Sequence, residues 1–307
     1  MRVCTLVPPL ALALSLGAQS AAAQQTPADR LPASALDISA PSTRVRGIPG
    51  SMSVRSAECR TAPPASLRRR IVDVAVQEWG FFGFRLAAAA DDGDNDNGGR
   101  DGFRRRPRLA PAEAARVAPS IAGYWAVTPE GSWIVARQND RWNGEDGIAA
   151  RWNAPWSAAF ISWVMCEAGA GTTAQIHRAI AHHAYIDQAI RARDGRAEQA
   201  AYAAYDPGEK PIEPGDLLCS SRRPLYRSIA ARRRQMGVGA RSHCDIVVKV
   251  DEAGQRVLAI GGNVRGVVSM KELPGVREPG RALRASTGNE ERPMFAHLKL
   301  REVSGSH

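Results

Sequence analysis

A nearly continuous run of apolar residues occupies the middle of the chain, at residues 152–169 with the sequence WNAPWSAAFISWVMCEAG. The positions between Ser157 and Gly169 leave no polar face wide enough for solvent, which is typical of a helix buried on all sides. Pro155 suits the first turn of a helix, and Gly169 suits its end. The pattern predicts a central core helix with the Ser157 hydroxyl at its N-terminus, where free N–H groups and the helix dipole favour negative charge.

The flanking patterns predict helices before this stretch and strands after it. Residues 66–80 carry apolar side chains at helical spacing, and residues 172–204 are consistent with one or two further helices. From residue 213 the apolar positions fall in short runs separated by turns, which predicts strands at 217–219, 243–250, 256–260, 267–270 and 296–303. Helices followed by an antiparallel meander indicate an α+β fold.

The two ends and one internal stretch do not follow these patterns. Residues 1–23 combine a basic start, a short apolar run and small residues, as a cleavable signal peptide does. Residues 24–65 are rich in Pro, Ser, Ala and Arg without periodicity and are predicted to be a disordered linker. The domain proper is predicted at 66–303, interrupted at 87–108 by a polar, glycine-rich insertion that we expect to be disordered.

Composition and charge limit the classes of partner that the protein is expected to bind. The chain of 307 residues is 44% apolar, enough for a sizeable core, and its net charge of +10 comes mostly from arginine. A basic cluster at residues 222–241 could meet an anionic envelope polymer or lipid, although a solvated loop is the simpler interpretation. Without a nucleic-acid motif, an exported chain is not expected to bind nucleic acid, and no later stretch is suited to stable membrane insertion.

The cysteines, aspartates and histidines of the sequence permit disulfides but do not form a metal-binding motif. Four cysteines remain after removal of the signal peptide, an even number that permits two disulfides in an oxidising compartment, and their spacings do not resemble a zinc site. The alternating aspartates of the insertion lack the glycine and the glutamate of a calcium loop. The adjacent His182 and His183 cannot both face one side of a helix. We therefore predict neither a metal nor a cofactor.

Four short motifs follow one another in order: W-S-A-A-F at 156–160, P-G-D-L-L at 214–218, H-C-D-I-V-V at 243–248 and I-G-G-N-V at 260–264. Their succession resembles the NlpC-type and CHAP-type branch of the papain-like hydrolases, which cleave amide bonds in bacterial peptidoglycan. The sequence is most similar to a group of exported bacterial proteins of unknown function that carry the W-S-A-A-F form. The resemblance covers roughly residues 151–269. It implies a papain-like core, in which N-terminal helices and the central buried helix pack on a small antiparallel sheet.

The resemblance also implies catalytic roles. The family's nucleophilic cysteine corresponds to Ser157, its histidine to His243 and its third, orienting residue to Asn263. The Ser157 backbone N–H and a nearby donor would then form the oxyanion hole. The residues expected to form this hole or to bind substrate are Asn153, Trp156 and His182.

The same fold suggests how the cysteines pair. Cys219 and Cys244 lie on strands that should be neighbours, so a bond between them is the first choice. A bond between Cys59 and Cys166 is the remaining alternative. Cys166 lies nine residues beyond Ser157, on the opposite face of the helix, and therefore cannot replace it as nucleophile.

Serine in place of cysteine leaves three interpretations open. The protein can be a serine-dependent amidase or peptidase, provided that His243 removes the hydroxyl proton during attack. It can instead be a catalytically inactive module that binds cell-wall or envelope ligands. In the third interpretation Ser157 merely caps the helix. Because a cap requires neither His243 nor Asn263, the three residues together favour the enzyme.

We therefore predict an exported amide-bond hydrolase, periplasmic or secreted, that needs no cofactor. Its partner would be a cell-wall peptide of peptidoglycan or a related envelope polymer. Acyl transfer is an alternative outcome of the same chemistry, because an amine can replace water in the second step.

Overall fold

The computed structural model describes residues 26–62, 64–91 and 109–301. The predicted signal peptide at 1–23 and most of the predicted insertion, residues 92–108, lie outside these described residues. Within them the chain has a mixed α+β fold, as predicted, with helices in the first part and a large sheet in the second.

Seven α-helices and two short 3₁₀ turns occur in the described part of the chain. The helices are α1 Ala33–Leu36, α2 Pro64–Phe81, α3 Pro111–Ala126, α4 Gly131–Trp142, α5 Ser157–Ala168, α6 His183–Arg193 and α7 Ile229–Arg233, and the 3₁₀ turns are Pro41–Arg44 and Gly147–Ala149. The predicted helix at 66–80 is confirmed as α2. The stretch 172–204 holds only α6 and ends in a strand that its apolar pattern did not reveal.

Ten strands make up the sheets of the described residues. They are β1 Val45–Arg46, β2 Ser53–Val54, β3 Arg85–Ala87, β4 Tyr202–Tyr205, β5 Leu217–Arg223, β6 Arg241–Asp251, β7 Arg256–Val264, β8 Val267–Val276, β9 Arg284–Ala285 and β10 Met294–Leu300. The main sheet has the order β3-β8-β7-β6-β5-β10-β4, and β9 pairs with β8 outside this path. Only β3 and β8 run parallel among these pairs. The five strands predicted from the sequence are confirmed as β5, β6, β7, β8 and β10.

The central helix α5 is the best-buried element of the fold. All of its residues are buried, and it lies between α2 and α3 on one side and β6 and β7 on the other. Its one ionisable residue, Glu167, is fully buried and accepts hydrogen bonds from the Ser39 backbone N–H at 2.7 Å and from Arg44 at 3.1 Å. A charge can be buried in this way only when it is paired, so Glu167 requires a partner segment from elsewhere in the chain.

That partner is the N-terminal segment 26–62, which corrects the prediction of a disordered linker at 24–65. Its side chains Ile38, Val45 and Met52 are buried in the same core as α5. The 3₁₀ turn Pro41–Arg44 lies so close to α3 that a Cβ atom at Gly123 would stand 2.0 Å from the Pro41 carbonyl oxygen. The segment is held by isolated apolar residues, arginines and one disulfide, and such contacts leave no periodic pattern in a sequence.

Both disulfides that the sequence allowed are present. Cys219 and Cys244 are directly opposite each other on β5 and β6, which confirms the first-choice pairing. The second possible bond, between Cys59 and Cys166, is present as well and attaches the N-terminal segment to α5. Two disulfides are consistent with an exported protein. The helices of the described residues include none with the length and apolar character of a membrane span.

The basic cluster at 222–241 is partly neutralised by its own fold. Arg232 is buried and makes two 2.7 Å hydrogen bonds to Asp187, which join α7 to α6. Arg233 pairs with Asp194 at 2.8 Å. These arginines therefore contribute to the packing of α7, and their charges are compensated by Asp187 and Asp194.

Removal of the Cys59–Cys166 bond should destabilise the protein through its N-terminal segment. We expect the double variant Cys59→Ala/Cys166→Ala to lose about 2–4 kcal/mol of unfolding free energy, because the bond closes a long loop in the unfolded chain. Equilibrium unfolding in urea measures this loss, and limited proteolysis should show earlier cleavage within residues 26–62. A variant with wild-type stability and cleavage would mean that non-covalent contacts alone hold the segment.

Candidate functional site

The Ser157 hydroxyl lies at the N-terminus of α5 and is hydrogen-bonded to a histidine. Ser157 is the first residue of α5, is 5% exposed, and has its Oγ 2.7 Å from Nε2 of His182. The capping position is taken by Trp156, which makes no side-chain cap. The interpretation of Ser157 as a helix cap is therefore wrong, since its side chain contacts an imidazole instead of the free backbone N–H groups.

His182 is held from its other side by a tyrosine. It lies immediately before α6, and its Nδ1 is hydrogen-bonded to the Tyr185 hydroxyl, three residues further along the chain. Burial, together with the electrostatic effect of the neighbouring His243 and Arg222, keeps the pKa of His182 well below its usual value. Burial and the Asp245 charge raise the pKa of Tyr185 well above its usual value. His182 is therefore neutral and Tyr185 protonated at neutral pH.

A second histidine belongs to a buried charged triplet on the sheet. His243 on β6 has its Nε2 2.9 Å from Oδ1 of Asp245, and Lys271 on β8 has its Nζ 2.9 Å from the other carboxylate oxygen. Residues two apart on a strand share a face, so His243 and Asp245 lie on the same face of β6, and the disulfide-bonded Cys244 between them lies on the other face. We refer to His243, Asp245 and Lys271 as the charged triplet.

The carboxylate of the charged triplet is ionised at neutral pH. Burial alone would raise the pKa of Asp245, but the Lys271 ammonium and His243 outweigh it and hold this pKa well below the ordinary range. An ionised carboxylate can only accept hydrogen bonds, so Nε2 of His243 must carry the proton and donate it to Asp245. Nδ1 of His243 is buried without a hydrogen-bond partner among the described residues.

The two histidines lie next to each other at the end of α5. The ring centroids of His182 and His243 are 5.3 Å apart, with the rings tilted by 53°. Ser157 and His243 were predicted to meet on the strength of the motif order, but the hydrogen bond of Ser157 Oγ is to His182, and His243 lies against the ring of His182. The arrangement brings a hydroxyl, a neutral imidazole and a carboxylate-oriented imidazole together, which are the groups that acyl transfer to serine requires.

Two glycines of the I-G-G-N-V motif make room for this arrangement. A Cβ atom at Gly261 would lie 2.0 Å from Oδ1 of Asp245 and 2.9 Å from Nε2 of His243. A Cβ atom at Gly262 would lie 2.5 Å from the Cβ of Phe160 on α5. Both positions therefore require glycine, one for the imidazole–carboxylate pair and one for the close packing of α5 on β7.

Nε2 of His243 is hydrogen-bonded to Asp245, a residue to which the sequence motifs gave no role. Asn263 follows the glycine pair on β7 with a left-handed φ of 57°, whereas Nε2 of His243 is bonded to Asp245. The motif alignment missed Asp245 because it lies two residues from His243 on the same strand, not on the neighbouring strand. A His-x-Asp spacing within a strand was the available signal, since it places both side chains on one face.

The binding residues predicted around Ser157 have mixed outcomes. His182 is confirmed as a neighbour, at hydrogen-bonding distance from the serine. Trp156 is 1% exposed and packs against Phe82 and Tyr124, so it belongs to the core instead of a binding surface. The Asn153 side chain accepts a hydrogen bond from Arg141 at 3.3 Å, and its backbone N–H donates to Gln138 on α4.

The P-G-D-L-L motif has a structural role where β5 pairs with β10. Asp216 is fully buried and accepts hydrogen bonds from His297 at 2.8 Å and from the backbone N–H of Leu300 at 3.0 Å. Burial opposes ionisation, but His297, the Leu300 amide and Lys299 outweigh it and lower the pKa of Asp216. This aspartate therefore fixes β10 against β5 and takes no part in the site at Ser157.

The described residues contain no group of three or more His, Cys, Asp or Glu side chains arranged to hold a metal ion. The charged triplet offers only one carboxylate, and a lysine occupies the position where a cation would bind it. Its charge is thus already compensated by the protein itself.

Comparison with known proteins gives one match. Residues 116–300, more than half of the chain, match a family described as uncharacterized protein conserved in bacteria (DUF2272). The matched region contains Ser157, His182 and the charged triplet, but not the N-terminal segment or α2. The curated proteins and the solved structures yield no match to the chain.

Gly261 offers a direct test of the space around the imidazole–carboxylate pair. We expect Gly261→Ala to lower the unfolding free energy by about 1–3 kcal/mol, because its methyl group collides with buried polar atoms that cannot withdraw into solvent. Gly239→Ala is the matched control, since a Cβ atom there meets nothing within 4 Å. Equal stability of the two variants in urea would show that β7 can move away from Asp245.

Lys271 should be a major contributor to stability. We expect Lys271→Met to lower the unfolding free energy by about 3–5 kcal/mol, because the buried Asp245 carboxylate loses its cation. Arg256→Gln removes an ion pair from a side chain that is 52% exposed, and it should leave the unfolding free energy nearly unchanged. Chemical unfolding at neutral pH compares the two.

The pH dependence of the same variants provides a second readout. In the folded wild type the pKa of Asp245 is below its unfolded value of about 3.9, so its contribution is complete above that value and is lost as the pH falls further. Lys271→Met should raise the folded pKa of Asp245 and move acid unfolding to higher pH. An unchanged acid midpoint would contradict the coupling of the two groups.

Proposed function

The chain belongs to the DUF2272 family of bacterial proteins, and we propose that it is an exported amide-bond hydrolase with Ser157 as its nucleophile. In this proposal His243 is the general base and Asp245 orients it. The substrate is a peptide of peptidoglycan or a related envelope polymer, and no cofactor takes part.

The observation that carries the proposal is the state of His243. Its Nε2–H is committed to Asp245, and its Nδ1 lone pair is buried and unused among the described residues. His297, far along the sheet at Asp216, has the same two features, so what distinguishes His243 is its position beside His182 at the start of α5. An imidazole with one nitrogen held by a carboxylate and the other unoccupied is the form in which a general base awaits a proton. This imidazole lies next to the one that contacts Ser157.

The reaction would proceed through an acyl-enzyme. Ser157 Oγ bonds to the carbonyl carbon while its proton passes to Nδ1 of His243, and the carbonyl electron pair moves onto the oxygen. Collapse of this intermediate breaks the C–N bond, and the departing nitrogen takes the proton from His243. Water then attacks the ester in the same way, which releases the carboxylic acid and restores the serine hydroxyl.

The start of α5 supports charge development in this mechanism. The first N–H groups of a helix have no partner within the helix, and the helix dipole is positive there. The oxygen that becomes negative during attack on Ser157 would be close to these N–H groups. A single well-placed donor of this kind is typically worth about 2.7–4 kcal/mol in the transition state.

The resemblance to the NlpC-type and CHAP-type hydrolases supports the choice of amide substrates. The nucleophile position opens a buried helix, that helix packs on an antiparallel sheet, and the histidine lies on a strand of that sheet beneath it. This chain departs from that family at two positions, with a serine as nucleophile and an aspartate within the histidine strand as the orienting residue. Both changes fit a serine mechanism, because a hydroxyl needs a stronger base system than a thiolate does.

One observation favours a second function, binding of envelope polymer without cleavage. A groove of about 900 Å³ lies beside the C-terminal ends of α3 and α6, and three arginines and one glutamate are among its lining residues: Arg178, Arg191, Arg196 and Glu198. Arg178 bonds to two backbone carbonyls, Val127 and Gly171, near the C-terminal ends of α3 and α5. Such a groove is suited to an anionic chain. The groove and Ser157 can be tested separately, because the arginines take no part in the proposed reaction.

A digest of purified peptidoglycan tests the proposed activity. We expect the mature protein to release fragments that mass spectrometry identifies by their new carboxyl and amino ends. Ser157→Ala should abolish release, and His243→Ala and Asp245→Asn should each reduce it by at least about a hundredfold, because they remove the base or its orientation. Arg191→Gln, in the groove, is the control that should retain cleavage.

Ser157→Cys separates the remaining outcomes. If only Ser157→Cys cleaves peptidoglycan, the site can bind and orient the substrate, but the serine is too weak a nucleophile to react. Absence of cleavage by every variant, together with binding to sacculi that Arg191→Gln weakens, would replace the hydrolase with the binding function. Cleavage that persists in Ser157→Ala would exclude Ser157 as the nucleophile.

A further inference from the structure

The Tyr185 hydroxyl has a restricted set of partners. Tyr185 is 2% exposed, and the only hydrogen bond of its hydroxyl within the described residues is the one to Nδ1 of His182. A phenol carries one proton to donate, and a buried donor without an acceptor is rare in folded proteins. Its proton must therefore point at Nδ1 of His182.

This bond decides where the proton of His182 lies. A neutral imidazole has one N–H and one lone pair, so an Nδ1 that accepts from Tyr185 leaves the ring proton on Nε2. Nε2 is the atom that lies 2.7 Å from Ser157 Oγ. The Ser157–His182 bond then runs from the imidazole to the serine, in the direction opposite to that of a base accepting a serine proton.

We infer that Tyr185 is a positioning residue that holds His182 as its Nε2–H tautomer, so that His182 donates a hydrogen bond to the Ser157 hydroxyl oxygen. The inference rests on the proposed function only for its catalytic consequence. It separates the two histidines by role. His182 stabilises negative charge on the serine oxygen, and His243 receives the serine proton.

The electrostatics of the pair agree with this assignment. The lowered pKa of His182 keeps the ring neutral, so that it has a single N–H to place. The raised pKa of Tyr185 keeps the phenol protonated. The charged triplet fixes the ring proton of His243 on Nε2 as well, because Nε2 is the nitrogen that faces the Asp245 carboxylate.

The consequence for the chemistry follows from the weak acidity of serine. A hydroxyl at a helix N-terminus keeps its proton, whereas a thiol there readily loses it. A fixed N–H donor on the serine oxygen stabilises the charge that grows on Oγ as its proton moves to Nδ1 of His243. The lone pair of His182 faces Tyr185, so it cannot compete for that proton.

The tautomer can be measured without any substrate. In full-length mature protein labelled with ¹⁵N-histidine, long-range ¹H–¹⁵N correlations distinguish a protonated ring nitrogen from one with a lone pair. The His182 signals are assigned by their loss in His182→Gln. We expect Nε2 to be protonated and Nδ1 to bear the lone pair in the wild type. We also expect protonation at Nδ1 to appear in Tyr185→Phe.

Tyr202→Phe is the matched control. Tyr202 is also a buried tyrosine, but its hydroxyl donates to the Gly215 carbonyl at 2.8 Å, away from the histidines. It should leave the His182 spectrum unchanged. A protonated Nδ1 in the wild type, or an unchanged spectrum in Tyr185→Phe that is folded by circular dichroism, would overturn the inference.

Kinetics connect the tautomer to the proposed activity. On peptidoglycan fragments we expect Tyr185→Phe to lower kcat on the order of ten- to a hundredfold, with little change in KM, because the donor acts on charge that develops during attack. Tyr202→Phe should retain kcat. A tautomer shift in a protein that never cleaves peptidoglycan would refute the hydrolase and leave the assignment of His182 intact. Full activity despite a shifted tautomer would refute the catalytic role of Tyr185 alone.

Discussion

The close contact between α5 and the glycine pair of β7 is the constraint on which the site depends. Gly262 lets Phe160 of α5 lie directly on the strand, and Gly261 leaves space for the bond between His243 and Asp245 beside it. Two consecutive residues of β7 therefore determine both the packing of α5 and the space for the pair of His243 and Asp245. Because protein interiors are densely packed, a change in either glycine displaces the helix that carries Ser157 or the strand that carries His243.

The site is also built from charges that the fold has removed from water. His243, Asp245 and Lys271 are each at most 3% exposed. Burial of such groups is costly unless every charge is paired. The triplet meets this condition through two 2.9 Å contacts to one carboxylate. The result is an imidazole whose orientation and tautomer are fixed before any ligand arrives, which is the preorganisation that catalysis in a buried site requires.

The sequence allowed much of the fold and part of the site to be predicted, and the reasons differ by residue. The apolar periodicity of α5 and the motif order identified Ser157, His243 and the strand pair joined by Cys219 and Cys244. Tyr185 and Lys271 could not be found in this way. Each reaches the site from an element whose position depends on tertiary packing, and single polar residues within apolar elements carry no periodic signal.

The family match covers less of the chain than the folded core does. The match begins at residue 116, yet the fully buried carboxylate of Glu167 depends on Arg44 and Arg60, from a segment that the sequence suggests is dispensable. A recombinant fragment cut at either the matched or the pattern-based boundary would keep every catalytic candidate and lose those cations. Its helix α5 would then contain an uncompensated negative charge at the end opposite Ser157, so a fragment that preserves this helix must include Arg44 and Arg60.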